Sequence, residues 1–246
     1  MRILIKTYSD NKKKNSDDYV VFNSTCLNNS EDLFDEPLKI IGVCDGVGGN
    51  AGGKFASGFV SDRLSKQEAF PGTVDGLERF FGSVNNELIE YASREIDKKN
   101  MATTFSGLIA SDSGLFLVHI GNTRVYRKQG QYLKQITEDQ TMYQLLLDRG
   151  AYEDAEKCNK NEIYACLGGG RPDYARPIII KQIDEIQNGD LFVITSDGIH
   201  EYVSIERLEK FIMNDADKDG DYLDEVLKNA RENGSTDDCS LVLIRF

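Results

Sequence analysis

Apolar and polar residues alternate over short stretches of the chain, and apolar residues recur every three to four positions over longer ones. The first pattern predicts strands over 3–7, 19–23 and 38–44, the last almost wholly apolar. The second predicts helices over 54–64 and 74–97. In the latter, Leu77, Phe80, Phe81, Val84, Leu88 and Tyr91 share one face. Strands return over 104–111, 115–120, 124–128 and 132–136, with Gln129-Gly130 marking a hairpin between the last two. A helix over 142–149 stops before Gly150, a natural cap. Strands over 178–183 and 191–196 precede helices over 204–213 and 222–232, and the chain closes in an alternating strand, 239–246. Strands and helices come in blocks. That predicts an α+β fold with largely antiparallel sheets, not a doubly wound parallel sheet. No repeat or low-complexity linker divides the 246 residues, so one domain over 1–246 is expected.

Composition narrows the class without fixing it. Hydrophobic residues are 40% of the chain, enough for a core without staples. No run of 18 apolar residues exists, so no membrane span is expected, and the apolar start is too short for a signal peptide. Five cysteines with no close pair, and two histidines, support neither a zinc site nor a disulfide framework. A reducing cytoplasm fits. The net charge of −12 argues against nonspecific nucleic-acid binding, which needs Lys and Arg to displace counterions. The 41 acidic residues are compatible with hard-cation binding, although solubility is the commoner reason for such a surplus.

Two segments share one grammar, an apolar strand ending in Asp-Gly: Asp45-Gly46 and Asp197-Gly198. The strand holds the carboxylate rigidly, and the glycine is expected to let the backbone turn. A third carboxylate, Asp237, lies just before the last strand. If that strand runs antiparallel to the other two, all three carboxylates meet at one edge, where Asp17 can join them. No Lys or Arg stands within two residues of Asp45, Asp197 or Asp237. Clustered carboxylates repel, and a divalent cation relieves the repulsion. All-oxygen ligation selects Mg²⁺ or Mn²⁺. Two such ions can make water a nucleophile and clamp a phosphoryl group.

The motif order resembles the PPM metal-dependent protein phosphatases (protein phosphatase 2C) over nearly the whole chain. Asn15-Ser16-Asp17 is similar to the family's opening Asn-Glu-Asp, and Asp45-Gly46-Val47-Gly48-Gly49 to its Asp-Gly-x-Gly-Gly. Thr103-Thr104 matches its Thr-Thr strand. Gly121-Asn122-Thr123-Arg124 with Tyr126 resembles Gly-Asp-Ser-Arg-x-Tyr, and the segment from Thr137 to Thr141 resembles Thr-x-Asp-His-Ser. Leu167-Gly168, Ser196-Asp197-Gly198 and Asp237-Asp238-Cys239-Ser240 match the remaining elements.

The resemblance implies a bacterial-type single catalytic domain, a sandwich of two antiparallel sheets flanked by helices in α-β-β-α layers. It implies a Mg²⁺- or Mn²⁺-dependent protein serine/threonine phosphatase with two ions. Asp45 would bridge both, the Gly46 carbonyl would bind one, and Asp197 and Asp237 would hold the other. Asp17 would orient the attacking water. Lys12, where the family has a phosphate-binding Arg, would grip phosphate without a bidentate fork. Val47 stands where many members have a proton-donating His. Asn122 replaces the Asp that, with Asp197, helps bind a weaker third ion, and a neutral amide is a poorer ligand. Asp238 stands where Asn is more usual, and its charge could partly compensate. Residues 144–164 would form a flap over the site. Substrates would be phosphorylated proteins, with an opposing Ser/Thr kinase as a partner. The alternatives are a weakly active pseudophosphatase that binds phosphoproteins and a small-molecule phosphomonoesterase.

Other signals read as structural. Gly46 to Ala51 nearly fits a dinucleotide fingerprint, but Asp45 would repel a pyrophosphate. Asp215 to Gly220 copies half an EF-hand loop, yet Val226 stands where the closing Glu belongs. His200 reads as a surface residue near the site, His119 as a satisfied core residue, and Cys44 as a buried structural thiol. Thr103 and Thr104 read as sheet residues beside the site.

Overall fold

The computed structural model describes residues 1–9, 16–47, 52–94, 100–169, 177–212 and 219–246. Two antiparallel sheets stack face to face. The first has six strands: β1 (Arg2–Tyr8), β4 (Ser30–Phe34), β9 (Arg124–Gln129), β10 (Tyr132–Gln135), β13 (Leu191–Thr195) and β14 (Cys239–Arg245). Their order is β10-β9-β13-β14-β1-β4. The second runs β11 (Leu167–Gly168), β6 (Ala102–Thr103), β5 (Ile40–Val47), β7 (Phe105–Ser111), β8 (Gly114–Ile120), β12 (Ile179–Ile183), and β2 (Asp18–Phe22) joins β5 to β3 (Thr25–Leu27). Helices α1 (Gly52–Ser65) and α2 (Val74–Ser93) cover the second sheet. Helices α5 (Asp197–His200), α6 (Ile205–Ile212) and α7 (Asp219–Glu232) cover the first, and α3 (Met142–Asp148) and α4 (Tyr152–Ala155) lie in the connection from β10 to β11.

The period of two along each strand builds these layers. In β14, Leu241 and Leu243 face the α6–α7 side, while Val242 and Ile244 face the other sheet. In β13, Leu191 and Val193 face the helices, and Phe192 and Ile194 face inward. The inward sets of both sheets, including Ile3, Ile5, Val20, Phe22, Ile41 and Val43, form one buried layer. A third cluster packs Leu77, Phe81, Val84 and Leu88 of α2 against β5, β7 and β8. The expected α-β-β-α sandwich is therefore the observed one.

The differences are local. Strands β3 and β4 were not expected. Asn23 and Asn29, at φ 50° and 54°, supply the left-handed turns that fold them back. Strand β4 is an edge strand with Glu31 and Leu33 exposed, so its pattern carries little hydrophobic signal. One departure from apolar patterning is buried Lys6, on the outer face of β1. Its ammonium pairs with Asp224 at 2.5 Å and Glu31 at 2.9 Å. Among the described residues, no helix is long and apolar enough to cross a membrane. All five cysteines are free thiols.

Candidate active site

The layer between the sheets changes character along its length. The inward positions that are apolar at one end become Thr7 on β1, Ser240 on β14, Asp18 on β2 and Asp45 on β5 at the other. Asp18 and Asp45 are register partners across β2 and β5. The Ser240 hydroxyl lies 2.8 Å from Asp18 Oδ2 and 2.9 Å from Thr7 Oγ1, joining the two sheets. Burial pushes the Asp18 carboxyl well above the ordinary carboxylate range, against hydrogen bonds from Ser240 and Ser196. The sequence reading assigned Asp18 no role. Its only signal was a charge at an inward-facing strand position.

A cavity of about 280 Å³ opens at this polar end. Asp45, Gly46 and Val47 of β5 line one wall, with Asp17 beside them. Asp197, Asp237, Asp238 and Asn122 line the opposite wall, and Asn161 and Ile163 complete the lining. The carboxylates thus converge, but not along a single sheet edge. Strand β14 pairs antiparallel with β13, whereas β5 belongs to the facing sheet. Asp45 therefore faces Asp197 and Asp237 across the gap. Lys12 and Asn15 lie outside the described residues, as do Gly48 and Gly49.

Neither glycine makes the sharp turn expected of it. Gly46 remains in strand β5, and Gly198 is the second residue of α5. Both permit close backbone approach. A Cβ on Gly46 would collide with Gly53 at the start of α1, and one on Gly198 with the Asp238 carbonyl oxygen.

Backbone hydrogen bonds fix the Asp45 peptide. Its N–H donates to Thr104 Oγ1 at 3.1 Å, and its carbonyl accepts from Thr103 Oγ1 at 2.8 Å and Thr104 N at 2.9 Å. Gly46 N donates to the Asp17 carbonyl at 3.2 Å, which also accepts from Ser57 Oγ at 2.5 Å. Asp17 N donates to Asp238 Oδ2 at 2.6 Å, so Asp238 clamps Asp17 rather than standing free as spare charge.

The electrostatics are those of crowded acids. Asp45 is pushed well above the ordinary range by burial first, then by Asp197, Asp18 and Asp237. Asp197 is raised to about 6 by burial, then by Asp237 and Glu201. The Asp45 and Asp197 carboxyls stand close enough to perturb each other. Asn122 Nδ2 donates to Asp197 Oδ2 at 3.2 Å, presenting a donor where a third-ion ligand would present an acceptor.

An all-oxygen donor set with repulsion to neutralise fits a hard divalent cation. Among the described residues, no three His, Cys, Asp or Glu side chains are already gathered around one point.

Other residues fall as follows. His119 is buried, with Ser106 Oγ at 2.8 Å and the Glu138 carbonyl at 2.8 Å, and burial lowers it to about 4. Cys44 is fully buried, its thiol pushed up to about 12. His200 is not the expected surface residue. It is half-buried with Nδ1 2.9 Å from Thr195 Oγ1, and burial, with the Arg124 charge, lowers its pKa. Within the EF-hand-like stretch, Asp219 is ion-paired with Arg245 at 2.6 Å, while Asp215 and Asp217 lie outside the described residues.

The 142–162 segment is closed at its base by the Thr141–Ile163 bridge, made by Tyr164 N to Gln140 O at 2.9 Å and Met142 N to Glu162 O at 2.8 Å. Gln140 is a hub that the sequence reading did not identify. Its Oε1 accepts from Gly121 N at 2.8 Å, beside Asn122, and its Nε2 donates to the Pro177 carbonyl at 2.7 Å.

Comparison with known proteins agrees with this geometry. Serine/threonine protein phosphatase PstP of Mycobacterium tuberculosis is 28% identical over 183 residues, 73% of this chain but only 35% of that relative's length. Serine/threonine phosphatase stp of Listeria monocytogenes is 26% identical over 225 residues, 87% of this chain and 86% of the relative. The crystal structure of the Mycobacterium tuberculosis phosphatase PstP/Ppp superposes with a TM-score of 0.76 at 23% identity, covering 98% of this chain and 97% of that one. The PstP catalytic domain in complex with two manganese ions superposes with a TM-score of 0.75 at 22% identity, covering 99% and 98%. A family profile described as Protein phosphatase 2C matches residues 30–241, and the chain belongs to that family.

Proposed function

We propose that this chain is a Mg²⁺- or Mn²⁺-dependent phosphatase that hydrolyses phosphoserine and phosphothreonine in proteins. The observation that carries the reading is the convergence of Asp45 from one sheet with Asp197 and Asp237 from the other on one all-oxygen cavity. The two manganese ions of the PstP catalytic domain support the same count here.

Asp45 would help hold both ions, the Gly46 carbonyl one of them, and Asp197 and Asp237 the other. When bound, the ions supply a nucleophilic water and charge stabilisation for the phosphoryl group. Asp17, held by its clamp to Asp238, would orient that water, and Lys12 would help hold the phosphate. Val47 offers no proton to the leaving group. The shared inter-sheet core supports one catalytic domain over 1–246, with a flap over about 144–164. The substrate would be the product of a Ser/Thr kinase. One observation favours a slower second reading, a weakly active phosphoprotein binder: Asn122 holds Asp197 with an amide donor where a third ion would need an acceptor.

The test is Mn²⁺-dependent hydrolysis of p-nitrophenyl phosphate and a phosphothreonine peptide. EDTA should abolish it, and Asp45→Asn should lower kcat/KM by roughly a thousandfold. Full activity in that variant sinks the proposal. Manganese binding without turnover selects the second reading.

A further inference from the structure

A second cavity of about 330 Å³ adjoins the metal cavity, with Asn122 and Asn161 lining both. Its other walls include Arg124, Asp139, Tyr143, Lys160 and Glu201. Its charged groups are not equally available. Arg124 and Asp139 bind each other through two contacts, Nε–Oδ1 at 2.9 Å and Nη2–Oδ2 at 2.6 Å. Glu201 Oε2 accepts from Asn161 Nδ2 at 3.0 Å. Lys160, exposed at the rim, makes no ion pair among the described residues, and its ammonium lies 4.9 Å from the centre of the Tyr143 ring.

Lys160 is also presented in a defined way. Asn161 N donates to Asn159 Oδ1 at 3.1 Å, which tightens the turn carrying it, and the Asn161–Glu201 bond ties that turn to the end of α5. The cation therefore stands beside the metal cavity on a pinned turn, braced against an aromatic face.

We propose that this second cavity takes the side chain of a residue flanking the phosphorylated one, that this side chain is anionic, and that Lys160 recognises it. The inference rests on the phosphatase reading above and narrows its substrates. The anion can be a carboxylate or a second phosphate, since both suit a lone ammonium. A basic flanking residue would meet Lys160 as a like charge and be disfavoured.

The test measures kcat/KM on Mn²⁺-loaded protein for phosphothreonine peptides carrying Glu, a non-hydrolysable phosphonate analogue of phosphoserine, Ala or Lys at each nearby position. The enzyme is compared with Lys160→Met, which keeps the stem, and Lys160→Glu. The unaltered protein should favour an anion over Lys by about threefold to tenfold at one or more positions. Lys160→Met should erase the preference and Lys160→Glu should reverse it, with p-nitrophenyl phosphate turnover unchanged. Comparing the Glu and phosphonate arms identifies the anion. The same ranking in all three proteins overturns the proposal. So does a parallel loss on p-nitrophenyl phosphate, which would make Lys160 a holder of the reacting phosphate. If the unaltered protein turns over nothing, the phosphatase reading fails, and the peptide ranking is read instead as Kd by fluorescence anisotropy.

Discussion

Asp45-Gly46 and Asp197-Gly198 are alike in sequence and opposite in structure. The first stays inside a strand of the eight-stranded sheet, its peptide held by Thr103, Thr104 and Asp17. The second opens a short helix off the six-stranded sheet, with its carboxylate steadied by Asn122. Their common feature is a second chain segment pressed against the glycine: the start of α1 against Gly46, the Asp238 backbone against Gly198. Each Asp-Gly therefore delivers one carboxylate directly and admits a neighbour. At Gly198 the neighbour brings Asp237 and Asp238 to the cavity.

The sharpest way to break this pairing is Gly198→Ala. The new Cβ meets backbone rather than a yielding side chain, so destabilisation of at least about 3 kcal/mol is expected, seen as a loss of Tm. If Gly198 were merely a turn residue, the helical backbone there would accept alanine and the Tm would hold.

Asp197 gives a smaller effect, read as pH dependence in EDTA. Its folded-state pKa of about 6 lies above the ordinary 3.8, so protonation favours the metal-free fold. That contribution is fully present below about pH 4 and lost as the pH rises through about 6, amounting to about 2–3 kcal/mol by linkage. Denaturation of Asp197→Asn should show a shallower decline, since Asp45 and Asp18 remain raised, and Mn²⁺ should reduce it in the unaltered protein. Equal slopes in both metal-free proteins would show that Asp197 is not crowded.

The smallest effect is expected at Asn122→Asp. Losing the donor to Asp197 and adding a like charge should lower metal-free stability by about 1 kcal/mol. Calorimetric titration should then find one more Mn²⁺ equivalent than in the unaltered chain. An unchanged count would show that the amide is not what limits the third ion.

Much of this architecture could be read from residues. Strands β13 and β14 were legible as strands, although burial on both sides leaves their inner and outer faces indistinguishable in the sequence. Motif order brought Asp17, Asp45, Asp197 and Asp237 to one cavity. What escaped was what depends on distant backbones meeting. Nothing local to Asp45 says that its strand lies in the other sheet from Asp197, or that Gly46 serves packing rather than turning. Asp18 and Gln140 escaped for the same reason, since their partners, Ser240 and Gly121, are far away in sequence. Edge strand β4 was missed because one of its faces meets solvent.

The flap's construction has an evolutionary consequence. Its base is one backbone bridge, Thr141–Ile163, made by two hydrogen bonds, and α3 buries no side chain. Apart from buried Ala155 and cavity-lining Asn161, the exposed positions between 142 and 162 could vary without disturbing the sandwich beneath. The segment thus tolerates exchange at its exposed positions while the carboxylate walls stay fixed.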